Sequence, residues 1–407
     1  MAGDRPCPTC GQLIPFGQSE CPSCSERKGT LWSLERESLV LLTFPALVAF
    51  FVVTGFAARA YHSKEKHLAD EWYARGEADL GAGRPASALD DFRTALIYSR
   101  DNPRYQFRLA QALLESGRVE EARVYLLNLW EHEPGSGPAN LELGRLAARQ
   151  GNVHDAQRYF HNAIYGVWES QPDQQRREAR LELAEFLLNK GEKTQARAEL
   201  VALVAELPAD AALHVRAGKL FLEAEDFTSA LQEFRNALKF NRRKQGALAG
   251  AGEAAFRLAR YREAKDYLER AMREHPRDPA AASLLKTTNL VLGADPSEPG
   301  LTPLERARRV KRAFAQAEGR LRRCAAKKGE GLDVRKPVTD LQASYARARK
   351  LRPRVGERYL LRRPGLGSTV MDFVFNVEEQ TAKECGPPAG VDEALMLIGR
   401  RRGGPEQ

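Results

Sequence analysis

A repeat with a period of 34 residues runs from about residue 69 to residue 278 and limits the possible folds of the chain. An alanine recurs at the start of every second predicted helix. A bulky apolar residue follows each alanine by four positions, and a small residue precedes it by twelve. A six-residue insertion at 171–176 interrupts the period once. Small residues let antiparallel helices approach closely, so the pattern predicts a stack of helical hairpins. The alanines are Ala88, Ala122, Ala156, Ala196, Ala230 and Ala264.

Glycine and proline mark the turns of this repeat. Gly83, Gly117, Gly151 and Gly191 fall inside the hairpins, where a residue with positive φ is useful. Prolines end several of the repeats. This arrangement resembles the tetratricopeptide repeat, whose small-residue, Ala, Phe and Pro positions recur here in register. The resemblance implies an all-α superhelix over residues 69–293, with six repeats and a capping helix.

The same resemblance implies a groove that binds other proteins. In tetratricopeptide repeats the first helix of each pair lines a concave face, which takes extended peptides or helices. Here that face carries apolar rows with a polar row between them, which favours an apolar or amphipathic segment as the ligand. The alternative is that the apolar residues pack against neighbouring helices or the C-terminal domain. The expected groove residues are Tyr73, Phe107, Gln111, Leu114, Leu141, Arg145, Leu181, Glu185, Val215, Lys219 and Phe256.

Four of the six cysteines lie in two Cys-Pro-x-Cys pairs near the N-terminus. Two residues between cysteines allow a tight turn that aims both sulfurs at one tetrahedral ion. Two such pairs complete a four-thiolate shell, so Cys7, Cys10, Cys21 and Cys24 predict a structural Zn²⁺ site in a small zinc ribbon over residues 1–30. A redox Cys-x-x-Cys motif and two disulfides are the alternatives.

An uncharged apolar stretch of 21 residues, 38–58, separates the cysteine pairs from the repeats. A helix of this length crosses the ~30 Å hydrocarbon layer of a membrane. A cleaved signal peptide is the alternative interpretation. Flanking charges do not decide the orientation, whereas thiolates stay reduced most easily in the cytosol. We therefore expect a single-pass protein of the bacterial inner membrane, with the ribbon in the cytosol and the repeats in the periplasm.

The C-terminal segment, residues 302–407, carries the whole basic excess of the chain. It holds 24 Lys and Arg residues against 13 Asp and Glu residues, whereas the remainder holds 39 against 41. Its apolar spacing predicts a helical domain with a first helix capped by Thr302, and Glu378 is interpreted as helix surface. Cys324 and Cys385 are expected to be buried thiols; a disulfide between them is the alternative and would require an oxidising compartment.

These features together favour a membrane-tethered scaffold or adaptor that binds other proteins, in envelope assembly or secretion. In its parts the chain is similar to bacterial lipopolysaccharide assembly proteins, although their zinc module follows the repeats. The alternative is a regulatory protein that binds nucleic acid or anionic lipid through the basic domain. All seven histidines precede residue 276, and no phosphate-binding loop, nucleophile elbow or dinucleotide motif occurs. We therefore expect no enzymatic activity.

Overall fold

The computed structural model describes residues 3–403, with side chains throughout that range except at 26–42, 245, 364 and 403. The fold class is all-α, with eighteen α-helices and one short hairpin in the described range. The chain divides into two compact units, residues 1–146 and residues 147–407.

A two-stranded antiparallel hairpin holds the first cysteine pair. Strand β1 (Arg5–Pro6) pairs with β2 (Leu13–Ile14). The turn between the strands contains Gly11, whose φ of 77° is accessible to glycine without strain. Here the Cys7 N–H donates to the Gln12 carbonyl at 2.8 Å, and the Gly11 N–H donates to the Cys7 carbonyl at 3.0 Å.

The first helix is unusually long. Helix α1 (Pro22–Gly81) begins directly after Cys21 and continues without a break into the first repeat. Its segment Thr43–Gly81 is long and apolar enough to cross a membrane, because its most apolar 18-residue window has a mean hydropathy of 1.6 and no buried residue. Of the expected span 38–58, the side chains at 38–42 lie outside those described.

Six helix pairs follow the predicted period. The end of α1 pairs with α2, and a single helix, α13, follows the last pair. Within each pair the turn has a residue with positive φ; four of these are the predicted glycines, and the last two are Glu225 and Ala259. The helices are α2 (Pro85–Tyr98), α3 (Pro103–Glu115), α4 (Val119–His132), α5 (Gly137–Arg149), α6 (Val153–Tyr165), α7 (Pro172–Asn189), α8 (Lys193–Val204), α9 (Ala211–Glu223), α10 (Phe227–Phe240), α11 (Gln245–Arg257), α12 (Tyr261–Glu274) and α13 (Pro279–Ala294).

Small residues of the first helices face large residues of the second helices. A Cβ atom built on Gly76 would lie 2.6 Å from the ring of Phe92, and one built on Gly218 would lie 2.8 Å from Phe234. Phe92 and Phe234 are fully buried. The periodic small and large positions of the sequence therefore meet as the close helix contacts that they predict.

Five helices make up the C-terminal region. They share a core with the end of the repeats, because Tyr261 and Val291 lie in the same buried cluster as the apolar side chains of α14. Residues 404–407 of the predicted domain lie outside the described range. The helices are α14 (Pro303–Lys328), α15 (Asp340–Leu351), α16 (Glu357–Arg362), α17 (Pro364–Cys385) and α18 (Val391–Gly403).

The structure confirms one expectation for this region and corrects two others. The Thr302 side chain accepts a hydrogen bond from the Glu305 N–H at 3.2 Å, which confirms the predicted start of α14. The spacing of Val338 with Leu341 and Tyr345 predicts that all three lie on one helix, but Val338 precedes α15 and is exposed, because Thr339 caps that helix. Glu378 is completely buried rather than on the helix surface, because it faces α14 and α18.

Cys324 and Cys385 form a disulfide, with their Cα atoms 5.7 Å apart. The expectation of unmodified thiols is therefore wrong. The two residues are 61 positions apart in sequence, and only the parallel packing of α14 against α17 brings them together.

Candidate functional site

The four N-terminal cysteines converge on one point. Their sulfur atoms all lie within 4.8 Å of one another. The Sγ atoms of Cys7 and Cys24 are 4.0 Å apart, and those of Cys10 and Cys21 are 3.5 Å apart. Four thiolates bonded to one tetrahedral ion at ~2.3 Å would be separated by about 3.8 Å. The cluster therefore has the dimensions of a four-thiolate metal site.

Local backbone structure places these sulfurs. The hairpin turn carries Cys7 and Cys10, and the start of α1 carries Cys21 and Cys24. Cys7 and Cys21 are buried together with Ile14, whereas Cys10 is exposed. One face of the cluster is thus closed by apolar contact and the other lies near solvent.

The electrostatics of the cluster favour a bound cation. Backbone N–H groups of Thr9 and Cys10 lower the pKa of the Cys7 thiol to about 6. The hydrogen bond with Cys10 is the largest of several effects that raise the pKa of Cys24 to about 12. Thiols this close cannot all ionise unless a positive charge compensates them. Because cysteines supply all four positions of a tetrahedral shell, an ion held here would have no open position for a substrate.

The expected groove residues form two apolar rows with a polar row between them. The first apolar row consists of Tyr73, Phe107, Leu141, Leu181 and Val215, and most of it is buried. Tyr73 packs in the core of the first unit, and Leu181 and Val215 pack in the core of the second. Leu141 is only 5% exposed. Of this row, Phe107 alone is half-buried. These four buried side chains stabilise the helix pairs and offer little surface to a partner, which matches the alternative interpretation of the apolar row.

The polar row is more accessible and largely paired. Arg108 donates to Glu77 and also to Gln111, at 2.7 Å for the latter. Arg145 donates to Glu142 at 2.8 Å.

In the second unit, Arg216 donates to Glu185 at 2.8 Å. Lys219 is exposed and has no hydrogen bond or ion pair to any residue that the structure describes. Arginines from the next repeat thus bridge part of the polar row.

The second apolar row lies at the edge of the cores and is half-buried. Leu114 packs against the core of the first unit. Phe256 touches both the core of the last repeats and that of the C-terminal region, and its ring meets Tyr261 edge-on at 5.5 Å. The described row is Leu80, Leu114, Leu188, Leu222 and Phe256.

Models of the tetratricopeptide repeat match this chain. One model matches residues 73–138, 141–212 and 181–247, and a second matches residues 221–287. Together the matches cover just over half of the chain. The chain belongs to the tetratricopeptide repeat family. No curated protein sequence matches the chain.

Several solved structures are similar to the chain at low sequence identity. PilF of Pseudomonas aeruginosa is 13% identical, with a TM-score of 0.40 over 54% of this chain and 97% of its own. The type IV pilus biogenesis factor PilW is 16% identical, with a TM-score of 0.40 over 53% and 98%. YrrB, described as having an unusual peptide-binding site, is 16% identical, with a TM-score of 0.39 over 47% and 95%.

The basic C-terminal surface of this repeat protein is extensively ion-paired. Arg308 and Lys311 both approach Glu357, at 3.7 and 3.5 Å. Lys328 meets Glu384 at 2.5 Å. The arginine excess therefore stabilises contacts between the C-terminal helices, and this pairing leaves fewer cations for a nucleic acid or lipid.

Sequence reasoning missed two groups of charged residues. Glu378 and Asp392 lie with Arg320 in the C-terminal core. Arg176 and Arg180 lie beside a cavity near the repeat insertion. Their spacing of four residues places them on one face of a helix, but an exposed arginine face gives the same pattern.

Proposed function

We propose that the chain is a membrane-tethered scaffold that binds other proteins through the first helices of its repeats. The observation that supports this is the row of half-buried apolar side chains beside a polar row in a tetratricopeptide repeat array. Phe107, Gln111 and Leu114 offer such a surface in the first unit. In the second unit Glu185 and Lys219 belong to the polar row, and Leu188 and Leu222 are the half-buried apolar side chains. The mixture favours an amphipathic segment as the partner, and no catalytic role is proposed.

The N-terminal module of the proposed scaffold is a structural zinc ribbon. Cys7, Cys10, Cys21 and Cys24 would hold the ion, and Zn²⁺ suits a closed tetrahedral shell of thiolates. A module with so small an apolar core needs its metal in order to stay folded. The zinc ribbon would thus present a fixed surface near the membrane.

Membrane attachment would come from the apolar segment of α1. Large apolar side chains such as Phe44, Phe51 and Phe56 are more than two-thirds exposed, which is unfavourable in water and favourable in lipid. The redox states on the two sides of this segment differ. The N-terminal cysteines are thiols, whereas Cys324 and Cys385 form a disulfide. This contrast favours a cytosolic ribbon and a periplasmic repeat domain, which suits envelope assembly or secretion.

Site-specific photo-cross-linking in membranes tests the protein-binding surface. A photoreactive residue replaces Gln111 or Lys219 on the first helices, and Arg123 or Gln232 on the second helices as matched controls. We expect the same partner to be captured from the first-helix positions and not from the controls. Equal capture from all four positions, or none from the first helices, would contradict the proposal.

The variant Phe107→Ala with Leu114→Ala sharpens this test. Both side chains are half-buried, so their loss should remove partner contacts while the fully buried core stays intact. We expect capture at Gln111 to fall by about tenfold. The control Ile97→Ala removes an exposed apolar side chain from α2 and should leave capture unchanged. Circular dichroism should show unaltered helicity in both variants.

A further inference from the structure

The repeat insertion adds a turn to one helix. The first helices α3, α5, α9 and α11 each have 13 residues, whereas α7 has 18. The extra length lies at the N-terminal end of α7, which begins at Pro172 after Gln171 in a left-handed conformation (φ 46°). This added turn supplies residues that α3, α5, α9 and α11 lack at the corresponding place.

A cavity of about 480 Å³ lies beside the added turn, in the size range of small-ligand sites. Three arginines of α7 line one side of it. Apolar and aromatic groups from α6 and α8 line the other side, and two carboxylates complete the wall. The lining residues are Ile164, Tyr165, Asp173, Arg176, Arg177, Arg180, Leu203 and Glu206.

The arginines have unused hydrogen-bond donors. The Arg180 side chain is 8% exposed, and its Nε atom is buried without a hydrogen-bond partner. It approaches Glu199 at 3.7 Å and Glu206 at 3.8 Å, which is too far for hydrogen bonds. Its one hydrogen bond to a described residue is a long one, 3.5 Å, donated to the Tyr165 hydroxyl.

The two neighbouring arginines add further donors. Arg176 donates to the Gly166 carbonyl at 3.1 Å through Nη2, while its Nε atom is buried without a partner. Arg177 has no hydrogen bond or ion pair to any described residue. A buried guanidinium with unpaired N–H groups is costly, and an oxyanion satisfies it with short charge-assisted bonds.

We propose that this cavity binds a small organic anion with a phosphate or carboxylate head group. The head group would accept hydrogen bonds from Arg176, Arg177 and Arg180. The apolar body of the ligand would lie against Ile164 and Leu203. The carboxylates of Asp173 and Glu206 flank the site and restrict it to a ligand with a compact head group.

Calorimetric titration of the full-length chain in detergent tests this proposal. The probes are phenyl phosphate and benzoate, which share an apolar ring and differ in the head group, with phenol as the neutral control. We expect one site per chain with a Kd of about 1 mM or tighter for at least one of the anions and no saturation with phenol. The anion that binds identifies the head group.

Variants locate the site. Arg177→Gln and Arg180→Gln should each weaken binding by about tenfold or more, because each removes a charged donor. Arg197→Gln, an exposed arginine of α8 outside the cavity, should leave it unchanged. Arg177 is half-buried and has no hydrogen bond or ion pair to a described residue, so Arg177→Gln should not disturb the fold. This variant therefore still tests the site if Arg180→Gln unfolds. Failure of both anions to saturate by about 10 mM would overturn the proposal, as would binding that Arg177→Gln leaves unchanged.

Discussion

Two buried carboxylates, Glu378 and Asp392, share the guanidinium of Arg320 in the C-terminal core. The Arg320 Nε atom lies 3.1 Å from Glu378 and its Nη1 atom lies 3.3 Å from Asp392. Arg320 and Arg323 favour the ionised form of Glu378. Burial and the charge of Asp392 oppose it more strongly, and together they raise the pKa of Glu378 to about 8. The Arg320 Nε–H donates to the Thr381 hydroxyl instead, so neither oxygen of Glu378 has a hydrogen-bond partner among the described residues and no hydrogen bond stabilises the ionised form.

Glu378→Gln should therefore change the pH dependence of stability. The unfolded carboxyl ionises near 4.5 and the folded one near 8, so the folded chain holds an extra proton between these values. Stability of the wild type falls as pH rises through this window. Glutamine stays neutral, so the melting temperature should exceed that of the wild type by roughly 4 °C at about pH 8.5 and match it at about pH 5. Thermal unfolding at both pH values measures this.

Glu379→Gln is the matched control for that variant. Glu379 is the next residue, is exposed, and bonds to Lys383, which lowers the pKa of Glu379. Its replacement should not stabilise the chain at alkaline pH. Equal behaviour of the two variants would mean that Glu378 is ionised in the folded protein.

A second prediction at the level of individual side chains concerns the metal content of the cysteine cluster. Purified full-length chain should contain close to one zinc per chain, and Cys7→Ser with Cys10→Ser should lose it, because two of the four thiolates are gone. Elemental analysis measures the ratio. Unchanged metal content in the double variant would refute the assignment of the site. The helicity of the repeats should persist, since no repeat residue belongs to the cluster.

Close approach between helices stabilises the repeats. Gly250 of α11 faces Phe234 of α10, and a Cβ atom built there would lie 2.3 Å from the ring. Phe234 is fully buried and packed by both helices, so its ring has no free space to move into. The close approach of α11 to the Phe234 ring therefore requires a residue without a side chain at position 250, although glycine is unfavourable inside a helix.

Gly250→Ala should lower the free energy of unfolding by about 1–3 kcal/mol in spite of the better helix propensity of alanine. Gly293→Ala, in α13, is the control, since a Cβ atom there meets nothing within 4 Å. That control should be neutral or stabilising by up to about 1 kcal/mol. Chemical denaturation measures both. Similar stability of the two variants would show that helix packing does not restrict residue 250.

Redox state and hydrophobicity divide the whole chain into three parts. Four thiols lie at the N-terminus, an apolar exposed helix follows, and the disulfide lies near the C-terminus. A membrane between a reducing and an oxidising compartment would account for this order, in line with the proposed membrane attachment. The proposed topology, with residues 1–37 in the cytosol and residues 59–407 outside it, follows from this contrast.

A reporter that is active only outside the cytosol, fused after residue 407, should be active in cells. A cytosolic reporter at the same place should be inactive. Thiol labelling of denatured protein from the same cells should leave Cys324 and Cys385 unlabelled until a reductant is added. Activity of the cytosolic reporter together with free thiols at both positions would reverse the proposed orientation.

The amino-acid sequence by itself determined the features that depend on local or periodic spacing. The 34-residue period, with small residues opposite large ones, specifies the helix pairs, because each pair buries its apolar face against its nearest neighbours. The Cys-Pro-x-Cys pairs specify their cluster in the same way, since each tight turn aims its own two sulfurs. The cap of α14 at Thr302 is equally local.

Only the tertiary structure decided the features that depend on contacts between distant residues. Tyr73, Leu181 and Val215 have the spacing of groove residues, yet packing makes them core. Glu378 has the sequence context of a surface carboxylate, but α14 and α18 bury it. The spacing of side chains along one helix determines which of them share a face. Whether that face meets protein, cavity or solvent depends on helices that fold back from elsewhere in the chain.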